Sequence, residues 1–214
     1  VYNGDGTFTY TPAAGEDGDV TFDYTITDGD GDVSTATVTL DLVPDSEPVV
    51  GAASDLAVDE DGFGTANLDG GQVDPLEINN GENLSDLSGL VTVDFGADVP
   101  AVPLLGSIAF INPGALNGQL SAGGEPVTFG LNGSGQLVGS TVGLGTVVTL
   151  TLTGAVAGGA AGEVDYSYSV VLAQPLDHSF GDDSEAGVTL TGVTFPVTDG
   201  DDGEQARASF GVVI

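Results

Sequence analysis

Asp28, Asp30 and Asp32 stand at i, i+2 and i+4 in the run TDGDGDVST, with Gly29 and Gly31 between them. Glycine lets a turn tighten, so three carboxylates at this spacing can converge on one cation, and hard cations such as Ca2+ take carboxylate and carbonyl oxygens. A second Thr-Asp-Gly-Asp start returns roughly 170 residues later, a long-range repeat, in TDGDDGEQA with Asp199, Asp201, Asp202 and Glu204. Its acid spacing is less regular. A third cluster, Asp59, Glu60 and Asp61, precedes Gly62 and follows a stretch carrying Asp45 and Glu47. Acids from a module end, a linker and the next module start can share ions and lock a hinge. The first turn is not an EF-hand. Its twelfth position is Thr39 where a bidentate Glu is required, and its flanks read as strands. The expectation is a calcium site in a β-turn. The competing reading is a plain polar hairpin turn, because Asp-Gly is itself a favoured hairpin dipeptide.

Other groups are weaker. Asp182, Asp183 and Glu185 lie near the single histidine, His178, and Asn79, Asn80, Glu82 and Asp86 form a looser set. One histidine with no cysteine and no nucleophile pairing is a structural hydrogen-bond donor or acceptor, not a catalytic centre. No phosphate loop, zinc motif or nucleophile elbow occurs. The reading is therefore of a protein that is not an enzyme.

Composition narrows the partners. The chain has 33 acidic residues against one basic residue, Arg207, for a formal charge of −32. Such a surface repels nucleic acid and anionic membrane and attracts cations. There is no cysteine, so no disulfide or thiolate metal site exists, and bound metal is one remaining way to stabilise a secreted chain. No apolar run is long enough for a membrane helix, and no signal peptide opens the sequence, which begins inside what reads as a module of a longer protein.

The elements that must position the acids show period-two patterning. Val20, Phe22, Tyr24 and Ile26 share one face, as do Ala36, Val38, Leu40 and Leu42. Val148, Leu150 and Leu152 repeat the pattern, and so do Val164, Tyr166, Tyr168, Val170 and Leu172. Alternation of this kind marks half-buried strands of antiparallel sheets, and turn residues punctuate the chain at sandwich spacing. The expected fold is all-β, with antiparallel β-sandwich modules of immunoglobulin or cadherin type in tandem. Residues 1–43 hold three strands (6–10, 20–27 and 33–42), the C-terminal half of one sandwich. Residues 44–54 form an acidic linker stiffened by Pro44 and Pro48, and residues 55–214 a larger sandwich. Gly192 marks a bulge, because the apolar phase shifts between Leu190 and Val193. From Val99 to Gly162 the only charged residue is Glu125. That stretch reads as further strands of a neutral module, with a self-association surface as the alternative.

The run GTFTYTP followed by YTITDGDGDVSTATVTL within residues 6–42 resembles the cadherin-like, immunoglobulin-like repeats of giant bacterial adhesins. DLAVDEDG at 55–62 resembles a repeat opening. DYSYSVVLAQPLDHSFGDDSE at 165–185, followed by TFPVTDGDDG, resembles the closing half of a longer repeat class in the same proteins. Such proteins are exported by type I secretion and carry RTX-type calcium repeats near the C-terminus. The resemblance implies an extracellular, cell-surface segment that Ca2+ rigidifies into an extender, in cell adhesion and biofilm formation. It implies Asp28, Asp30, Asp32, Asp59, Asp61, Asp199 and Asp201 as ligands. Partners would be neighbouring repeats or identical subunits, with no nucleic acid and no membrane insertion, and a glycan or surface ligand would be bound elsewhere in the full protein. The alternative is a self-assembling subunit of a filament or surface layer, with residues 1–43 completed by a neighbouring chain.

Overall fold

A computed structural model describes residues 1–12, 18–43, 46–60, 63, 84–100, 108–177, 188–200 and 203–214. The chain divides into two compact units, Val1–Ser46 and Glu47–Ile214.

The first unit is built on one hairpin. β1 (Gly18–Thr27) pairs antiparallel with β2 (Val33–Leu42), in unbroken register from Gly18↔Leu42 to Thr27↔Val33. Thr and Val fill both strands, and such β-branched side chains suit a pleated surface. The alternation places Val20, Phe22 and Tyr24 opposite Leu40, Val38 and Ala36. Phe8 lies across this face, with its ring centroid 5.5 Å from Phe22, 5.3 Å from Tyr24 and 5.2 Å from Tyr2. The strand expected over 6–10 is reduced to a single antiparallel bridge, Tyr2↔Phe8. Among the described residues of this unit none is buried: the inward face is half-buried and Ile26 is 61 % exposed. An isolated two-stranded hairpin is marginally stable at best in water.

The second unit is an antiparallel β-sandwich, as the alternation predicts. Its larger sheet runs in the order β3 (Val49–Val50), β5 (Ser85–Asp94), β11 (Glu163–Leu172), β10 (Gly145–Ala157), β9 (Leu137–Thr141) and β8 (Thr128–Leu131). Its smaller sheet runs β12 (Thr189–Thr198), β13 (Gln205–Val213) and β4 (Leu56–Ala57), with β4 parallel to β13. A small separate ribbon joins β6 (Ser121–Ala122) to β7 (Glu125–Pro126).

The inward residues of β11, Val164, Tyr166, Tyr168, Val170 and Leu172, are all buried. Facing them are Leu190, Val193, Phe195 and Val197 of β12 and Ala208, Phe210 and Val212 of β13, also buried. Aromatic rings link the two layers. Tyr168 stacks on Phe210 with centroids 4.0 Å apart and planes 20° apart, and Tyr166 meets Phe195 at 6.0 Å. Full burial of each such side chain is worth about 1.5–3 kcal/mol, so this unit holds a core of its own. The neutral stretch contributes to it through Val127, Phe129, Leu137, Val147, Val148 and Leu150.

The expected bulge is present. The β12–β13 register shifts between Leu190 and Val193, and Gly192 has φ 78°, a conformation that favours glycine. Within the stretch read as a linker, Val49 and Val50 pair with Asp94 and Val93 of β5, and Pro48 is buried.

Candidate metal centre

The first acidic turn closes on itself before any ion is considered. Asp28 N–H donates to the Asp32 carbonyl at 3.0 Å, and Gly31 N–H to the Asp28 carbonyl at 3.3 Å. Asp28 Oδ1 accepts from the backbone N–H of Asp32 (2.9 Å), Gly31 (3.1 Å) and Asp30 (3.3 Å). The Asp30 side chain, then the Asp32 N–H, then those of Asp30 and Gly31, hold the Asp28 carboxyl below its ordinary 3.8. A carboxylate has a second oxygen, so closing the turn leaves Asp28 able to ligate.

Asp28, Asp30 and Asp32 each offer a carboxylate oxygen, and these oxygens lie within 4.8 Å of one another, all on exposed residues. Oxygens bound to one Ca2+ at 2.3–2.6 Å can be at most about 5 Å apart. The triad therefore fits a hard cation in both ligand type and spacing. Ile26 and Val33, on the two strands below, line an open notch with Thr27, Asp28, Asp32 and Ser34.

The second acidic turn uses its first aspartate in the same way. Gly203 N–H donates to Asp199 Oδ1 at 2.9 Å, and Asp199 N–H to the Glu204 carbonyl at 3.1 Å. Its setting is different. Asp199 is buried, and Gly200 N–H donates to the Asp98 carbonyl at 2.8 Å. A Cβ at Gly200 would lie 2.8 Å from the Val99 carbonyl oxygen, so only glycine allows this approach. The turn is docked on the chain at 98–99. Asp201 and Asp202 lie outside the described residues, and Glu204 is half-buried.

In the third cluster Asp59 is half-buried and Asp61 lies outside the described residues. Glu60 between them is 4 % exposed and accepts the Leu176 N–H at 2.5 Å, tying the start of the second unit to the segment after β11. Its charge reads in sequence as part of a solvated run, and its burial is a tertiary property. Among the described residues the first turn is the only place where three acids converge. Asp45, Asn79, Asn80, Glu82, His178, Asp182, Asp183 and Glu185 also lie outside the described residues.

The sequence reading gives no role to Asp55, and it groups Asp86 with a weak cluster. Asp55 Oδ1 accepts Gly211 N–H at 2.6 Å and Asp86 Oδ2 accepts Ala57 N–H at 2.9 Å. Burial pushes the Asp86 carboxyl up, but the Ser88 hydroxyl and the Ala57 and Ser88 N–H groups outweigh it and hold the group below its ordinary value. The partners are distant in sequence, so no local spacing marks them.

Comparison with known proteins gives one match. The family model for a cadherin-like domain matches residues 1–43, the segment that holds the acid triad. No curated protein and no solved structure matches the chain. No helix among the described residues is long and apolar enough to cross a membrane.

Proposed function

We propose that this chain is a calcium-stabilised extender segment of a bacterial cell-surface adhesin. The observation that carries the reading is the convergence of Asp28, Asp30 and Asp32 at the tip of a hairpin inside the region similar to a cadherin-like domain. Ca2+ would supply the positive charge that lets three carboxylates stay close. The residues themselves tighten the turn and fix the start of β2. Extracellular calcium modules commonly have dissociation constants of about 0.1–1 mM, a range in which a secreted chain gains its ligand outside the cell. Asp59, Asp61, Asp199, Asp201, Asp202 and Glu204 remain further ligand candidates in this proposal. The RTX-type export and the biofilm role rest on the sequence resemblance.

The test is a thermal melt with parallel sedimentation, in chelator and in millimolar Ca2+. A calcium-dependent rise in melting temperature of a monomeric species supports the extender. An unchanged melt and an unchanged fold in chelator would sink it.

A second reading has its own observation. No described residue of Val1–Ser46 is buried, and Phe8, Phe22 and Tyr24 form an aromatic cluster on one side of the hairpin. A filament or surface-layer subunit, with this hairpin completed by a neighbouring copy, would cover that face. Calcium-driven assembly in the same sedimentation run would select it.

A further inference from the structure

The second unit ties its entering segment to its leaving strand. β4 is two residues long, yet both its edges are occupied. On one edge it lies parallel to β13, with Leu56 opposite Val212 and Ala57 opposite Val213, extended by Val58 N–H donating to the Val213 carbonyl at 3.0 Å. Asp55 Oδ1 adds a 2.6 Å bond from Gly211 N–H. On the other edge Ala57 N–H meets Asp86 Oδ2 of β5, so a carboxylate from the opposite sheet stands where a further strand would pair. Leu56 and Val212 are fully buried, which keeps water from the contact. Just upstream, Gly51 and Ser54 donate to the Thr92 and Leu90 carbonyls of β5 at 2.9 Å each, and Tyr168 Oη donates to the Ser54 carbonyl at 2.5 Å.

Parallel pairing of an entering and a leaving strand has a mechanical consequence. Tension on the chain ahead of β3 and on the end of β13 draws β4 and β13 in opposite senses along one axis. The bonds between parallel strands are evenly spaced and slant across that axis, so they share the load and fail together. An antiparallel hairpin pulled apart at its open end loses its bonds one at a time. We infer that the β4–β13 contact, held by the Asp55 and Asp86 carboxylates, is a shear clamp that makes the second unit resist end-to-end force. Its use in holding an adhesive tip under load rests on the extender reading. The clamp itself does not.

The sequence has no cysteine, so paired thiol handles are unique wherever they are introduced. Val49, Thr189 and Val213 are exposed. Single-molecule unfolding of the full chain through V49C/V213C loads the clamp in shear. T189C/V213C peels β12 from β13, because Thr189 and Val213 are register partners. The expected result is a severalfold higher unfolding force for the first pair. D55A or D86A should raise its unfolding rate at fixed load about tenfold, the loss of one charge-assisted bond, with the peeling force unchanged. Equal forces in the two geometries on the otherwise natural sequence would overturn the clamp, whatever the Asp variants do. So would Asp variants that fold and unfold under shear like the parent. A high shear force in a chain whose melt ignores calcium would uphold the clamp and remove the extender reading.

Discussion

Two turns begin with the same four residues, Thr-Asp-Gly-Asp, and end in different surroundings. At 27–32 the turn stands at the tip of a hairpin with no buried residue, and its three carboxylates face solvent together. At 198–204 the turn joins two strands of a packed sandwich, its leading aspartate is buried, and its glycine is pressed against the chain at 98–99. Both leading aspartates accept backbone N–H groups of their own turn. The motif therefore specifies closure of the turn, and the packing around it decides whether the acids are left to gather a cation or are used to hold the fold.

The largest expected contrast lies in what supports each turn. Phe195→Ala removes a fully buried ring from the second unit and should cost about 3–5 kcal/mol, read by denaturant unfolding. Phe22→Ala, at a half-buried site in the hairpin, should cost clearly less. Equal losses would show that the first unit owns a core comparable to the second.

Calcium comes next. D28A/D30A/D32A should remove most of the calcium-dependent rise in melting temperature, whereas D199A should leave most of it in place. The reverse outcome would move the metal centre to the second turn.

In chelator the order changes. D199A should destabilise by about 1–3 kcal/mol by leaving the Gly203 N–H without its acceptor. It should also speed cleavage after Arg207, the one tryptic site in the chain, which lies in β13 just beyond the turn. D30A, at an exposed position, should leave that cleavage rate unchanged.

The smallest effect is in acid. The Asp28 and Asp86 carboxyls both sit below their ordinary value, so the stability each gives is present above the unfolded-state value. It is lost as pH falls through the folded one. A carboxyl-resolved NMR titration should find both midpoints below 3.8. Midpoints above it would mean that the N–H bonds to these carboxylates are not formed.

Much of this was open to reading because strands with one buried face declare themselves locally. Val164, Tyr166, Tyr168, Val170 and Leu172 keep period two and all five are buried, while Val171 between the last two is exposed. The phase slip at Gly192 appears in the sequence before it appears as a bulge. The acid triad is also local: i, i+2 and i+4 around one turn needs no distant partner. What escaped depends on sequence-distant neighbours. β3 and β4 have two residues each, too few to show a period, and they exist because the edges of β5 and β13 receive them. Phe8 has the alternating neighbours of a strand residue, yet among the described residues it forms only the single bridge to Tyr2. Glu60, Asp55 and Asp86 look like surface charge, and each is committed to a backbone N–H far along the chain.

Tyr168 stacks on Phe210 across the two sheets and donates to the Ser54 carbonyl. Burial first, then the charge of Asp55, with Asp86 adding to it, pushes its hydroxyl up to about 12 against the hydrogen bonds to Ser54 and Leu90. Burial raises Tyr166 as well. The chain has no tryptophan and five tyrosines, of which only these two belong to the second unit. The sandwich thus carries its own optical gauge. Phenolate absorbance that appears late in an alkaline titration reports the sheets parting, with no dye or label attached.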